Sequence, residues 1–142
     1  MARIMSFQNP PGDEIRHLLK TAKTIAVVGL SPKPDRPSHG VAKGMQRFGY
    51  RIVPVNPAQS ELLGEKVYPD LLSVPEGIDL VDVFRSPEHV DEVVDQCIAR
   101  KFPAIWLQEG VINEKAAIRA EAAGMLVVMD RCLFKDYLLY MN

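Results

Sequence analysis

The residues of this sequence that could do chemistry stand directly after short apolar runs. Five such groups are Gly29-Leu30-Ser31, Asn56-Pro57, Phe84-Arg85-Ser86, Gln108-Glu109-Gly110 and Asp130-Arg131-Cys132. Five cations fall within or near them: Lys33, Arg36, Lys43, Arg85 and Arg131. Cationic and hydroxyl side chains bind phosphate oxygens through charge-assisted hydrogen bonds. The pattern therefore predicts a ligand with several phosphates, although Lys43 fits an ordinary surface residue better.

The loop after the first apolar run is long and stiffened by prolines. Its candidate ligand contacts are Ser31, Pro32, Lys33, Arg36 and His39. We expect the loop to wrap a phosphate ahead of a helix capped by Ser38, because a helix N-terminus offers free N–H groups and a favourable dipole. Gly40 and Gly44 lie about one helical turn apart, which suits either close approach to a ligand or helix packing.

This loop does not match an ordinary dinucleotide-binding fingerprint. That fingerprint has the pattern GxGxxG and an acidic residue at the end of the second strand, where the acid holds a ribose hydroxyl. Here the glycine pattern is missing, and Asn56 ends the second apolar run. Ordinary NAD binding is therefore disfavoured, and an unorthodox NAD(P) site stays open as an alternative.

No familiar catalytic arrangement is visible. A Ser-His-Asp order, paired acids and an HExxH motif are missing, and no metal site is predicted. Glu109 suits a solvated loop carboxylate better than a general base. Cys132 is a candidate reactive thiol, because the adjacent Arg131 favours a thiolate, whereas burial against the last helix would make it inert. Cys97 lies on an apolar helical face and is predicted to be an inert core residue.

Composition narrows the class of protein. The 142 residues carry a formal charge of −1, which gives no general attraction to nucleic acid or to an anionic membrane. Two widely separated cysteines exclude a disulfide framework. No apolar run approaches the roughly 18 residues of a spanning helix, and the first twelve residues do not resemble a signal peptide. We expect a cytoplasmic protein that binds a small molecule, with any protein partner left open.

Alternating strands and helices position the polar groups. Apolar runs over 24–29, 51–55, 78–84, 104–107 and 125–129 predict strands buried on both faces. Amphipathic spacing predicts helices over 13–22, over 38–48, from Ser86-Pro87 onward, from Asn113 to Gly124 and over 133–141. The segment 58–77 is predicted to be irregular apart from a turn near 70–72. This alternation is typical of a single Rossmann-like α/β domain over 1–142, with a doubly wound parallel sheet of about five strands flanked by helices. Proteins with this fold bind their ligands at the carboxyl ends of the strands, where the polar groups should meet.

Five segments in order resemble the small stand-alone CoA-binding domain proteins, the YccU-like group. They are Ile25-Ala-Val-Val-Gly-Leu-Ser31, Val53-Pro-Val-Asn-Pro57, Val81-Asp-Val-Phe-Arg85, Trp106-Leu-Gln-Glu-Gly-Val-Ile-Asn113 and Val127-Val-Met-Asp-Arg-Cys132. The fold is also similar to the N-terminal domain of the succinyl-CoA synthetase alpha subunit. The resemblance implies coenzyme A as ligand, with residues 31–33 around its phosphates, Asn56-Pro57 beside the nucleotide, and residues 84–86 along the adenosine or pantetheine path. Where the synthetase has a lysine after the second strand's proline, this chain has Ala58 or Gln59.

The leading hypothesis is a module that binds CoA or an acyl-CoA without chemistry of its own. The synthetase needs a second domain with a phosphorylated histidine and a partner subunit for nucleotide, and these 142 residues have room for neither. We therefore expect no ligase activity from this chain. A second hypothesis is a redox-active or acyl-carrying protein in which Cys132 reacts with the CoA thiol or an acyl group. The predicted ligand contacts are Gly29, Leu30, Ser31, Pro32, Lys33, Arg36, His39, Gly40, Asn56, Pro57, Phe84, Arg85, Ser86, Gln108, Gly110, Arg131 and Cys132.

Overall fold

The computed structural model describes residues 6–141, and its centre is a five-stranded parallel sheet. Numbered along the chain, its strands are β1 (Thr24–Val28), β2 (Arg51–Val55), β5 (Leu80–Val83), β6 (Ala104–Leu107) and β7 (Leu126–Met129). A separate antiparallel hairpin contains β3 (Glu61–Leu62) and β4 (Glu65–Lys66). The five predicted strands are thus confirmed, with small differences at their ends.

Within residues 6–141, five α-helices cover this sheet: α1 (Gly12–Thr21), α2 (Pro37–Arg47), α3 (Val90–Arg100), α4 (Glu114–Ala122) and α5 (Leu133–Tyr140). Helices α1, α2 and α5 pack on one face, and α3 and α4 pack on the other. Because side chains alternate along a strand, Ile25 and Val27 enter the first layer while Ala26 and Val28 enter the second. The predicted doubly wound α/β fold is therefore confirmed. None of the helices in this range is long and apolar enough to cross a membrane.

The strand order β2-β1-β5-β6-β7 places a topological switch beside β1. After β1 the chain adds β2 on one side, and it later crosses to the other side of β1 to add β5. The helices α2 and α3, which follow β1 and β5, consequently lie on opposite faces of the sheet. Their loops separate and leave a crevice at the carboxyl ends of these two strands.

The start of α2 differs from the prediction. Ser38 is predicted to be the N-cap, but the helix begins at Pro37 and Ser38 lies inside its first turn. Proline has a φ angle suited to the first helical position, so the helix starts at Pro37 and the N-cap is Arg36, two residues before Ser38. The Ser38 hydroxyl instead accepts a hydrogen bond from the backbone N–H of Ser31 at 2.9 Å.

Two other predicted helix starts have different outcomes. Ser86 makes no capping bond, and a short 3-10 turn over Pro87–His89 precedes α3. Asn113 does cap α4, because its side-chain oxygen accepts a hydrogen bond from the Ala116 N–H at 3.0 Å. Asn113 therefore acts as a side-chain N-cap, because its oxygen reaches the N–H three residues beyond it, whereas Ser86 does not.

The segment 58–77 holds a hairpin that the sequence analysis misses. Leu63 and Gly64 join β3 to β4 with φ angles of +53° and +76°, the backbone of a type I′ turn. Tyr68 then pairs with Val55 at the edge of the main sheet. The turn predicted near 70–72 is present as a 3-10 helix over Leu71–Ser73.

Candidate functional site

A cavity of about 510 Å³ opens at the topological switch, at the carboxyl ends of β1, β5 and β6. We call it the switch-point cavity. Its wall combines the loop after β1, the first turns of α2 and residues just past three other strands. From the predicted set it brings together Gly29, Ser31, Lys33, Arg36, Phe84, Gln108 and Cys132, and it adds Pro37, Ser38, Val41, Glu109 and Val111.

The loop after β1 is held by hydrogen bonds to itself and to α2. The N–H of Ser31 donates to Ser38 Oγ at 2.9 Å, and the N–H of Lys33 donates to Ser31 Oγ at 3.1 Å. His39 Nδ1 lies 3.0 Å from the Ser31 carbonyl oxygen. These bonds fix the loop and occupy the N–H donors of Ser31 and Lys33, and Pro37 has no N–H to offer. Side-chain cations are therefore important for meeting an anion here.

Two such side chains are the exposed cations Lys33 and Arg36, which line the cavity. Neither forms an ion pair with a carboxylate in the described range 6–141. The first turn of α2 contains no acidic residue, and the positive end of its dipole faces the same region. This side of the cavity consequently carries unpaired positive charge, which favours an anionic group such as a phosphate.

On the β6 side, Gln108 presents a free amide donor to the cavity. Only 4% of Gln108 is exposed, and its Oε1 accepts a hydrogen bond from the Leu133 N–H at 3.1 Å. Its Nε2 forms no hydrogen bond within residues 6–141. This nitrogen is not fully enclosed, so it opens to the cavity that Gln108 lines. Cys132, next to Leu133 in the chain, is 8% exposed and lines the same wall. A hydrogen-bond donor and a thiol therefore share this wall.

Gly29 allows the loops after β1 and β5 to touch. Its φ angle is +86°, and a Cβ added there would lie 3.1 Å from the Phe84 carbonyl oxygen and 3.2 Å from Arg85 Cδ. Residues with a side chain rarely adopt such a φ angle, and the space for one is already filled. Glycine is therefore required at this position.

A second cleft, of about 420 Å³, lies on the face of the sheet covered by α3. From the predicted ligand contacts, Pro57 and Arg85 line it, together with His89 and Glu92. The Arg85 guanidinium forms no ion pair within the part of the chain that the structure describes. Because Arg85 Cδ lies 3.2 Å from the position that a Cβ on Gly29 would take, the second cleft adjoins the switch-point cavity. A long ligand could occupy both.

Other predicted contacts have structural roles or lie outside both clefts. Leu30 is fully buried, and its carbonyl oxygen accepts a hydrogen bond from Asn56 Nδ2 at 2.9 Å. Asn56 Oδ1 in turn accepts from the Ala58 N–H at 2.8 Å, so this side chain ties β1 to β2. Neither cleft is lined by Leu30, Pro32, His39, Gly40, Asn56, Ser86, Gly110 or Arg131.

Arg131 is already paired and does not add free charge to the ligand edge. Its Nε and Nη2 donate to the buried carboxylate of Asp136 at 2.6 and 2.7 Å. These hydrogen bonds raise the Arg131 pKa above its ordinary value. The expectation of an available cation beside Cys132 is thus wrong, because the first turn of α5 supplies a carboxylate that neutralises it.

Part of the cavity wall lies outside the predicted set of ligand contacts. Val41 and Val111 line it, although helical periodicity alone assigns Val41 to the core. Glu109 lines it as well, with its two carboxylate oxygens 3.1 and 3.2 Å from Lys135 Nζ. Glu109 belongs to the polar group predicted after β6, where it is interpreted as a solvated carboxylate. Val111 follows the same strand end, and this position is the signal that could have identified it.

Asp82 is a buried carboxyl that the sequence analysis does not single out. It lies in the middle of β5, between Val27 of β1 and Trp106 of β6. Within residues 6–141, its two oxygens are the only fully buried side-chain polar atoms without a hydrogen-bond partner. Burial raises the pKa of Asp82 well above its ordinary value. Trp106 is also fully buried, and its indole N–H donates to the Arg131 carbonyl oxygen at 2.8 Å.

The two cysteines occupy different environments. Cys97 is fully buried among the side chains between α3 and the sheet, and this burial raises the pKa of its thiol to about 12. The prediction of an inert core cysteine is consistent with this position. Cys132 is mostly buried as well, but it contacts the switch-point cavity.

Comparison with known proteins identifies relatives of the whole chain and of its central range. Residues 23–137 match the family model described as a CoA binding domain. The uncharacterized protein YneT of Bacillus subtilis is 44% identical over 126 residues, which are 89% of this chain and 93% of YneT. A solved structure of a hypothetical protein from Pyrococcus horikoshii has a TM-score of 0.92 and 34% identity, covering 100% of both chains.

A longer relative is the ADP-forming acetate–CoA ligase I of Archaeoglobus fulgidus. It is 26% identical over 121 residues, which are 78% of this chain but only 18% of the ligase. The family match covers β1 through most of α5 and includes the residues of both clefts. The resemblance inferred from the five sequence segments is confirmed: the chain belongs to the CoA-binding domain family.

Proposed function

We propose that this protein binds coenzyme A, or an acyl-CoA, at the carboxyl edge of its parallel sheet. The observation that carries this proposal is the unpaired charge of Lys33 and Arg36 beside the switch-point cavity, in a member of the CoA-binding domain family. CoA is anionic at its diphosphate and at its 3′-phosphate. Both adjoining clefts contain a cation that could meet such a group.

The parts of CoA match parts of the site. The diphosphate lies against Lys33 and Arg36, near the start of α2. The pantetheine arm, which contains two amides, follows the cavity toward Gln108, whose Nε2 donates to an amide oxygen. The 3′-phosphate reaches Arg85 in the second cleft. This arrangement leaves the thiol end of the ligand on the β6 side of the cavity.

We propose further that binding occurs without a reaction catalysed by this chain. The carboxylate of Glu109 is held by Lys135, and His39 Nδ1 is bound to the Ser31 carbonyl. These two groups are therefore engaged in structural contacts. NAD is a poorer ligand because Asn56, at the end of β2, uses both ends of its side-chain amide within the protein.

Isothermal titration with CoA, dephospho-CoA and NAD tests the proposal. We expect CoA to bind, dephospho-CoA to bind roughly tenfold more weakly because it lacks the 3′-phosphate, and NAD to show no binding; a tenfold loss is about 1.4 kcal/mol. Arg85→Ala should remove the preference for CoA over dephospho-CoA. No binding of CoA at millimolar concentration would refute the proposal, and equal binding of all three ligands would indicate a generic nucleotide site.

Matched variants on α2 and its loop test the cationic wall. Arg36→Ala should weaken CoA binding by about 1.5 to 3 kcal/mol, because a charge-assisted hydrogen bond is lost. Lys43→Ala is the control, since Lys43 is an exposed cation on α2 that does not line the cavity. Equal effects of the two substitutions would show that only net charge matters.

A further inference from the structure

We propose that Cys132 forms a reversible mixed disulfide with CoA by exchange with a CoA disulfide bound at this site. This inference rests on the proposed function, and it gives the site a redox chemistry in addition to binding. Two observations carry it: the position of the Cys132 thiol in the wall of the switch-point cavity, and the unpartnered amide donor of Gln108 in the same wall.

Gln108 and Cys132 are held in a fixed relationship. The Oε1 of Gln108 accepts the N–H of Leu133, the residue after Cys132, at 3.1 Å. The Nε2 at the other end of this amide forms no hydrogen bond within residues 6–141 and is not fully enclosed, although only 4% of the residue is exposed. Because this donor faces the cavity without a protein partner, it is available to an acceptor on a ligand. The amide oxygens of the pantetheine arm are acceptors close to the CoA thiol.

The geometry thus brings the reactive end of the ligand to the cysteine. An amide of the pantetheine arm bound by Gln108 places the terminal thiol near Cys132, because the Gln108 side chain is itself anchored at the start of α5. Anionic groups bound at Lys33 and Arg36 fix the other end of the ligand. Holding two reacting groups in this way raises their effective concentration.

The oxidant is a CoA disulfide, in which two CoA molecules are joined by their sulfurs. The Cys132 thiolate attacks one of these sulfurs, the S–S bond of the CoA disulfide breaks, and a bond forms between Cys132 Sγ and the CoA sulfur. The second CoA leaves as a thiolate and takes up a proton from water. Cys132 is oxidised and the departing CoA is reduced. A second thiol reverses the step by the same exchange.

Intact-protein mass spectrometry tests this inference on the full chain. The reduced protein is incubated with CoA disulfide at pH 8, and we expect one CoA adduct that dithiothreitol removes. The adduct should be missing in Cys132→Ser and in Cys132→Ala, and it should persist in Cys97→Ala, because Cys97 is enclosed in the core. An adduct that persists without Cys132 would overturn the inference.

A rate comparison separates a directed reaction from simple thiol exposure. Pantethine has the same disulfide and pantetheine amides as CoA disulfide but no phosphates. We expect CoA disulfide to react at least roughly tenfold faster below saturation, since its phosphates are held beside the thiol, and Arg36→Ala should reduce that advantage. Equal rates for the two disulfides would overturn the inference.

Titration with reduced CoA keeps the two proposals distinguishable. If wild-type protein binds reduced CoA and forms no adduct with CoA disulfide, the disulfide inference fails while the binding proposal stands. If reduced CoA does not bind, the binding proposal itself fails, and the inference falls with it. Circular dichroism spectra and melting temperatures of Cys132→Ser that match those of the wild type show that its missing adduct is not due to misfolding.

Discussion

Asp82→Asn should stabilise the protein at neutral pH and leave its stability nearly unchanged near pH 4. The folded-state pKa of Asp82 is raised by complete burial without a hydrogen bond. A carboxyl of this kind contributes its stability fully below its unfolded pKa of about 3.9, and that stability is lost as pH rises toward the folded pKa. Asparagine has nearly the same shape but does not ionise, so the variant avoids this loss.

The raised pKa of Asp82 sets an upper bound on the change in unfolding free energy at pH 7. Each pH unit between the unfolded and folded pKa values lowers the free energy of unfolding of the wild type by about 1.4 kcal/mol. Across the three units from pH 4 to pH 7, the loss is therefore at most about 4 kcal/mol. Asparagine also leaves a buried amide without partners, so the variant should resemble wild type with a protonated Asp82.

Urea denaturation followed by far-ultraviolet circular dichroism, at pH values from 4 to 8, measures this difference. The gap in unfolding free energy between Asp82→Asn and wild type should widen as pH rises. Asp35→Asn is the control for the removal of a carboxyl group at an exposed position, because Asp35 lies at the surface in the loop after β1. A gap for Asp82→Asn that does not change with pH would refute the view that this carboxyl is enclosed and unpaired.

Three further substitutions test other parts of the structure. In thermal melts, Gly29→Ala should lower the free energy of unfolding by more than Gly49→Ala. Both substitutions place alanine at a positive φ, which costs about 1 to 2 kcal/mol, but only the Cβ at position 29 is also crowded by neighbouring atoms. Equal losses would contradict the crowding. Arg131→Ala should lower the free energy of unfolding by about 3 to 5 kcal/mol, because it leaves the buried Asp136 carboxylate unpaired. An unchanged melting temperature would contradict this role of Arg131. In ultraviolet titration, Tyr50→Phe should remove the tyrosine whose pKa burial raises to about 12; a late-titrating tyrosine that persists would contradict this assignment.

The central fold could be predicted because its signals are local. A run such as residues 25–28 is apolar and buried at every position, since both faces of the strand are covered. The hairpin at Leu63-Gly64 could not be predicted in this way. Its strands are two residues long and show no periodicity, and leucine is not a residue that favours a positive φ.

The candidate site could be predicted in part because parallel strands bring their ends together. Lys33, Gln108 and Cys132 are far apart in the sequence, yet all line one cavity. The partners of individual side chains could not be predicted. Arg131 is neutralised by a carboxylate one helical turn into α5, and Asp82 is enclosed by residues of two neighbouring strands. These contacts depend on tertiary packing and not on local spacing.

Trp106 gives the protein a built-in optical reporter. It is the only tryptophan in the sequence, so long-wavelength ultraviolet excitation selects a single indole. That indole is enclosed beside Asp82, and its N–H is bound to the backbone just before Cys132 and α5. Its emission should therefore be blue-shifted, respond to ionisation of the neighbouring carboxyl, and change if an occupant of the cavity moves the segment 131–133. Native fluorescence can thus follow occupancy and protonation in the unlabelled chain.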